Sequence, residues 1–74
     1  MTEQISIKSV EINNTVVPLD NITFCISVSK FDKESGDRFY WINIHYRDKT
    51  ILSIGPYNTI AESKADIEKI IINL

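Results

Sequence analysis

The chain has 74 residues, 43% of them hydrophobic and 24% charged, and its 8 basic and 10 acidic side chains give a formal net charge of -2. This is one small domain near the lower size limit for independent folding, burying only about 60% of the surface its unfolded form exposes, so a staple or a partner is expected. A lone cysteine, Cys25, excludes an internal disulfide, two glycines exclude phosphate-cradling glycine motifs, and the weak basic balance argues against duplex nucleic acid.

Apolar residues alternate with period two through most of the first 54 positions, which predicts sheet. The first strand spans about residues 4–12. Ile5 and Ile7 share one parity while Val10 and Ile12 share the other, so a bulge near Ser9 is expected. Asn13-Asn14 forms a tight turn, because asparagine tolerates positive φ. A short edge strand returns over about 15–18, where Pro18 ends the ladder. After the Asp20-Asn21 turn, the strand over about 22–31 turns Ile22, Phe24, Ile26 and Val28 to one face and Thr23, Cys25, Ser27 and Ser29 to the other. A polar loop, Asp32 to Asp37, leads to a strand over about 38–47 with Tyr40, Ile42, Ile44 and Tyr46 on its apolar face. Pairing Val28 with Tyr40, Ile26 with Ile42, Phe24 with Ile44 and Ile22 with Tyr46 satisfies every apolar position in one register.

A turn at Asp48-Lys49 precedes a strand over about 50–54. A three-residue loop sets Leu52 beside Tyr46 and Ile54 beside Ile44, whereas a two-residue loop turns Ile51 inward. Gly55-Pro56 ends the sheet. Thr59 and Glu62 have capping-box spacing, with Asn58 as an alternative cap, and open a helix over about 59–73. Its apolar stripe is Ile60, Ile67, Ile70, Ile71 and Leu74. The expected architecture is α+β: a two-layer domain in which an antiparallel meander of four to five strands carries one C-terminal helix over its Phe24/Ile26/Ile42/Ile44 face.

The sheet face away from the helix then holds Phe39, Trp41, Asn43 and His45, with Phe31 and Arg47 at its ends and Cys25 alongside. Large aromatics among small polar residues are typical of an interface centre, so these six residues from Phe31 to Arg47 form the expected partner surface, for a foreign protein or for a homodimer, the alternative being that Trp41 lies under the N-terminal segment. Sheet aromatics also stack single-stranded bases, but only Lys30, Arg38, Arg47 and Lys49 stand near, offset by Asp32, Glu34, Asp37 and Asp48. Cys25 and His45 one diagonal step apart would permit a thiolate–imidazole pair with Asn43 as orienting group. Nothing supplies an oxyanion site or a cleft for it, so no catalytic residues are expected. Cys25, His45 and the carboxylates have no metal-ligand spacing, and no metal or cofactor is expected.

Ile54-Gly55-Pro56-Tyr57-Asn58-Thr59 with Ala61-Glu62-Ser63 resembles the strand, glycine, aromatic and helix-start segment of SPOR-type peptidoglycan-binding domains. The resemblance covers this segment and lends no function or site. Met1-Thr2-Glu3-Gln4 lacks the basic start of a secretory signal, and no window approaches the roughly 18 apolar residues of a membrane span. A cytoplasmic location without membrane partners is therefore expected. Fourteen isoleucines against three leucines, with six asparagines and six lysines, suit an AT-rich genome such as that of a phage or other mobile element. The combined expectation is a non-catalytic protein-binding module, a stoichiometric inhibitor or adaptor such as an anti-defence (anti-CRISPR-like) protein.

Overall fold

A computed structural model of the chain describes residues 8–74. The elements are β1 (Ser9–Ile12), β2 (Thr15–Pro18), β3 (Ile22–Phe31), β4 (Arg38–Tyr46), β5 (Ile51–Tyr57) and α1 (Ile60–Ile72). The α+β class and the C-terminal helix are as expected, but the strands do not form one meander. β1 and β2 make a two-stranded sheet of their own, and β3-β4-β5 make an antiparallel three-stranded sheet. The start expected at residue 4, and Ile5 and Ile7 on which the bulge near Ser9 rested, lie outside the described residues.

The β1-β2 hairpin closes through Asn13 and Asn14 at φ 51° and 63°, the pair of left-handed residues that a type I′ turn requires. Its apolar side supplies Ile12, Val17 and Leu19 to a core completed by Ile42 and Ile44 of β4, Ile54 and Tyr57 of β5, and Ile70 of α1. Hairpin and helix therefore cover the same face of the three-stranded sheet. The Tyr46 hydroxyl donates to the Pro18 carbonyl at 2.7 Å, tying the end of β2 to β4.

The register of β3 departs from the hydrophobic pattern. Ile22 pairs with Tyr46 as expected, but the ladder then shifts between Ile22 and Phe24, so Phe24 pairs with His45, Cys25 with Ile44, Ser27 with Ile42 and Ser29 with Tyr40. A bulge at Thr23 inverts every later side chain of the strand. The inward positions of β3 are thus Cys25, Ser27 and Ser29, while Phe24 and Ile26 turn outward at 49% and 46% exposure. The physical reason lies in the helix. The Ser63 hydroxyl is fully buried, donates to the Ile60 carbonyl at 2.8 Å, and accepts from the Ser27 hydroxyl at 2.8 Å. Only small side chains allow α1 to come that close to β3.

The same contact corrects the helix stripe. α1 begins as expected: Thr59 is the N-cap and makes the full capping box with Glu62. Ser63 and Ile70 then face the core with Ile67 half-buried, whereas Ile60, Ile71 and Leu74 remain 45%, 57% and 59% exposed. On its other flank, the Tyr57 hydroxyl of β5 donates to Asp66 Oδ2 at 2.7 Å, and Lys69 Nζ lies 3.3 Å from Asp66 Oδ1.

β5 turns Leu52 and Ile54 inward as expected, but opposite Ile44 and Ile42, two residues from the anticipated register. Arg47-Asp48-Lys49 forms the loop, with Lys49 at φ 73° and the Tyr46 amide bonded to the Thr50 carbonyl at 3.0 Å. The strand does not end at Ile54 but runs through Gly55 and Pro56 to Tyr57, because a register shift opposite Trp41 absorbs them. Gly55 is required there: at φ 153° an added Cβ would lie 3.0 Å from the Trp41 indole and 3.0 Å from the Tyr40 carbonyl.

A domain of this size holds only about 3–5 kcal/mol of net stability, so a single core deletion is enough to unfold it. Ile70→Ala is expected to cost about 2–5 kcal/mol, whereas Ile72→Ala, at a side chain 79% exposed, stays within about 0.5 kcal/mol. Urea unfolding followed by circular dichroism separates the two.

Candidate functional site

The face of β3-β4-β5 turned away from α1 and the hairpin is built in cross-strand rows. Phe24, His45 and Ile51 form one row, and Ile26, Asn43 and Ser53 the next. Val28 and Trp41 follow, with Trp41 against Gly55, and Lys30 and Phe39 close the face. Each row is an antiparallel neighbour set, so these side chains lie within contact distance across the strands.

The rows are locally ordered. The Phe24 and His45 rings stack with centroids 4.1 Å apart and planes 14° from parallel. Lys30 Nζ lies 5.3 Å from the Trp41 ring centroid, a cation–π distance. The Ser53 hydroxyl donates to Asn43 Oδ1 at 2.7 Å, so the two polar side chains in the middle of the face pair with each other. Phe24, Ile26 and Ile51 are each about half exposed, at 49%, 46% and 52%. Among the described residues nothing lies over them.

Of the six residues singled out from sequence, Phe39, Trp41, Asn43 and His45 come together on this face. Phe31 does not: it pairs with Arg38 on the opposite side of the sheet, where the guanidinium carbon sits 5.9 Å from its ring centroid. Arg47 lies beyond the end of β4, in the loop that borders a shallow depression of about 530 Å³ with Pro18, Tyr46 and Thr50. Phe24, Ile26 and Val28 were missed because period-two patterning assigned the apolar side of β3 to the core, and Ile51, whose side the sequence left open with the length of the preceding loop, joins them from β5. The signal that could have found them is the run of small residues Cys25, Ser27 and Ser29 matched by Ser63, a seat for close helix packing.

Cys25 also moves. It sits beside Ile44 against the core, on the opposite face from His45, so the thiolate–imidazole pair that the sequence permitted does not form. Burial pushes the Cys25 thiol up from its ordinary pKa. The Tyr57 phenol is likewise pushed up, first by burial and then by its bond to Asp66. Among the described residues no three His, Cys, Asp or Glu side chains converge as metal ligands, and no helix is long and apolar enough to cross a membrane.

Compared with protein-family models, curated proteins and solved structures, the chain has no match in any of the three.

A thiol with a raised pKa, packed on the core, reacts slowly because the thiolate is the nucleophile. Alkylation of Cys25 at pH 8 is expected to be at least about tenfold slower in the folded protein than in denaturant. Its rate should climb as the pH passes above 9.0, the unperturbed thiol value. Mass-spectrometric time courses at several pH values check both.

Proposed function

We propose that the chain is a non-catalytic protein-binding module that acts stoichiometrically, as a small inhibitor or adaptor, through the open face of β3-β4-β5. One observation carries this reading: β3 turns Phe24 and Ile26 to solvent while Cys25 and Ser27 take the inward positions. A domain with so little core does not gain by leaving its larger apolar side chains in water. Half-exposed Phe24 alone holds on the order of 100 Å² of apolar surface, and covering it contributes about 2.5 kcal/mol at 25 cal/mol/Å². With Ile26, Ile51, Val28 and Trp41 in the same patch, the surface has the large side chains of an interface centre.

The fitting partner chemistry is an apolar protein surface. Lys30 is the charged side chain of the face, and Ile26, Val28 and Ile51 occupy positions that base stacking would leave to aromatics, which disfavours single-stranded nucleic acid. The separation of Cys25 from His45 removes the geometry on which a cysteine-dependent enzyme would rest. An anti-defence protein of a phage or other mobile element is one concrete form of the inhibitor role, suited to the isoleucine-, asparagine- and lysine-rich composition.

Ile51→Glu is expected to keep the far-ultraviolet spectrum and melting of the native protein yet lose, by at least about tenfold in affinity, the partner that the native protein retains from host extract at a fixed stoichiometry. Trp41→Ala should behave alike. Retention of the same partner by both folded variants would sink the proposal. Single-stranded RNA at low salt should leave Trp41 fluorescence unchanged, and saturable quenching would transfer the face to nucleic acid.

A further inference from the structure

β3 is an edge strand whose outer side has no partner among the described residues. It is ten residues long and carries none of the usual guards against strand addition: it has no proline, and its one charged residue is Lys30, near its end. The other edge, β5, is shorter and broken by Gly55 and Pro56. Above the β3 edge lies a second unfilled surface. At 100° per residue, Ile60, Ile67 and Ile71 fall in one stripe of α1, with Leu74 just past the end of the helix. That stripe flanks the helix on the β3 side, because Ser63 reaches Ser27 of β3 while Asp66 reaches Tyr57 of β5. Ile60, Ile71 and Leu74 are 45%, 57% and 59% exposed.

We propose that two copies of the chain pair through this side, β3 against β3 and α1 against α1, to form a dimer with a continuous six-stranded sheet. The pairing runs along the β3 edge and meets the open face at Phe24, Ile26 and Val28, whereas Trp41 on β4 and Ile51 on β5 belong to the open face alone. An added peptide strand would satisfy the β3 edge but leave the helix stripe in water. A second copy supplies both at matched spacing. Antiparallel pairing about a two-fold axis perpendicular to the sheet is self-complementary and closed, and it keeps both helices on one side.

Centred on Ile26, this register sets Ile26 against its own symmetry copy and Phe24 beside the second copy's Val28. The two Lys30 side chains lie at opposite ends of the ladder, about 27 Å apart at 3.3 Å per residue, so like charges do not meet. α1 runs antiparallel to β3, so Ile60 comes beside the second copy's Ile71. With α1 seated nearest β3 and β4, strands about 4.8 Å apart bring the helix axes to roughly 10 Å, the spacing of packed helices. An edge about 33 Å long and 15–20 Å tall across strand and helix presents roughly 500–650 Å² per copy, close to the 600–800 Å² of a specific interface.

Sedimentation equilibrium across the micromolar range tests this. The native chain is expected at twice 8.5 kDa. Ile71→Glu should weaken association at least about tenfold, because pairing would bury its charge, while keeping its helical circular dichroism. Ile72→Glu, on the other side of α1, should remain dimeric. As an independent readout, Ile26→Cys in a Cys25→Ser background should form an intermolecular disulfide on mild oxidation, since antiparallel neighbours lie within disulfide reach. Ile51→Cys should not. A native chain at 8.5 kDa throughout, an Ile71→Glu dimer of undiminished affinity, or crosslinking through residue 51 in place of residue 26 would each overturn the proposal.

Discussion

The hydroxyl contact between Ser27 of β3 and Ser63 of α1, 2.8 Å long, is the constraint on which the rest of the structure depends. A helix laid on a sheet normally stands off by the length of the aliphatic side chains between them. Here two serines meet in place of two aliphatics, and both hydroxyls are satisfied, so burial of their polar atoms carries no desolvation deficit. Bringing Ser27 under the helix requires the bulge at Thr23, and that bulge decides the fate of the whole strand. Cys25, Ser27 and Ser29 turn inward; Phe24, Ile26 and Val28 turn outward. One inserted residue thus converts the most regular apolar alternation in the chain from core into surface.

The core survives this exchange because its large side chains come from elsewhere. Ile42, Ile44 and Ile54 form a buried row across β4 and β5, Ile70 closes it from the helix, and the hairpin adds Ile12, Val17 and Leu19. The hairpin and α1 share one face of the three-stranded sheet and leave the other without cover among the described residues. Among the described residues one face is covered, and the small size of the domain reappears as a specific surface: Phe24, Ile26 and Ile51 about half exposed beside Trp41. Trp41 packs against Gly55, whose missing Cβ makes room for the indole.

Among the described residues two surfaces of different kinds are left unsatisfied. The open face is apolar and aromatic with its backbone already hydrogen-bonded, and it suits burial against a protein of complementary shape. The β3 edge offers unpaired backbone groups beside an aliphatic helix flank, and it suits addition of a strand that carries its own helix. They meet along β3 at Phe24, Ile26 and Val28. Pairing at the edge would extend the open face across both copies and set two Phe24/Ile26/Val28 rows next to each other.

Local chemistry was legible in the sequence wherever neighbours along the chain determine the conformation. Asn13-Asn14 specified a tight turn and Thr59 with Glu62 a capping box. Pro18 ended β2, and the polar run from Asp32 to Asp37 divided β3 from β4. The α+β class followed from the change of period from two to 3.6, and Phe39, Trp41, Asn43 and His45 were assigned to the open face because β4 alternates without interruption. The sequence did not determine which face of β3 is buried or which side of α1 points inward. Alternation favoured the isoleucines in both elements, and only the three-dimensional approach of Ser63 to Ser27 reverses that preference. Propensity and periodicity act between neighbours in the chain, whereas the Thr23 bulge is stabilised by a contact between residues 36 positions apart. The tertiary structure alone decided it, by giving up the hydration of two hydroxyls for close packing and leaving two large apolar side chains exposed.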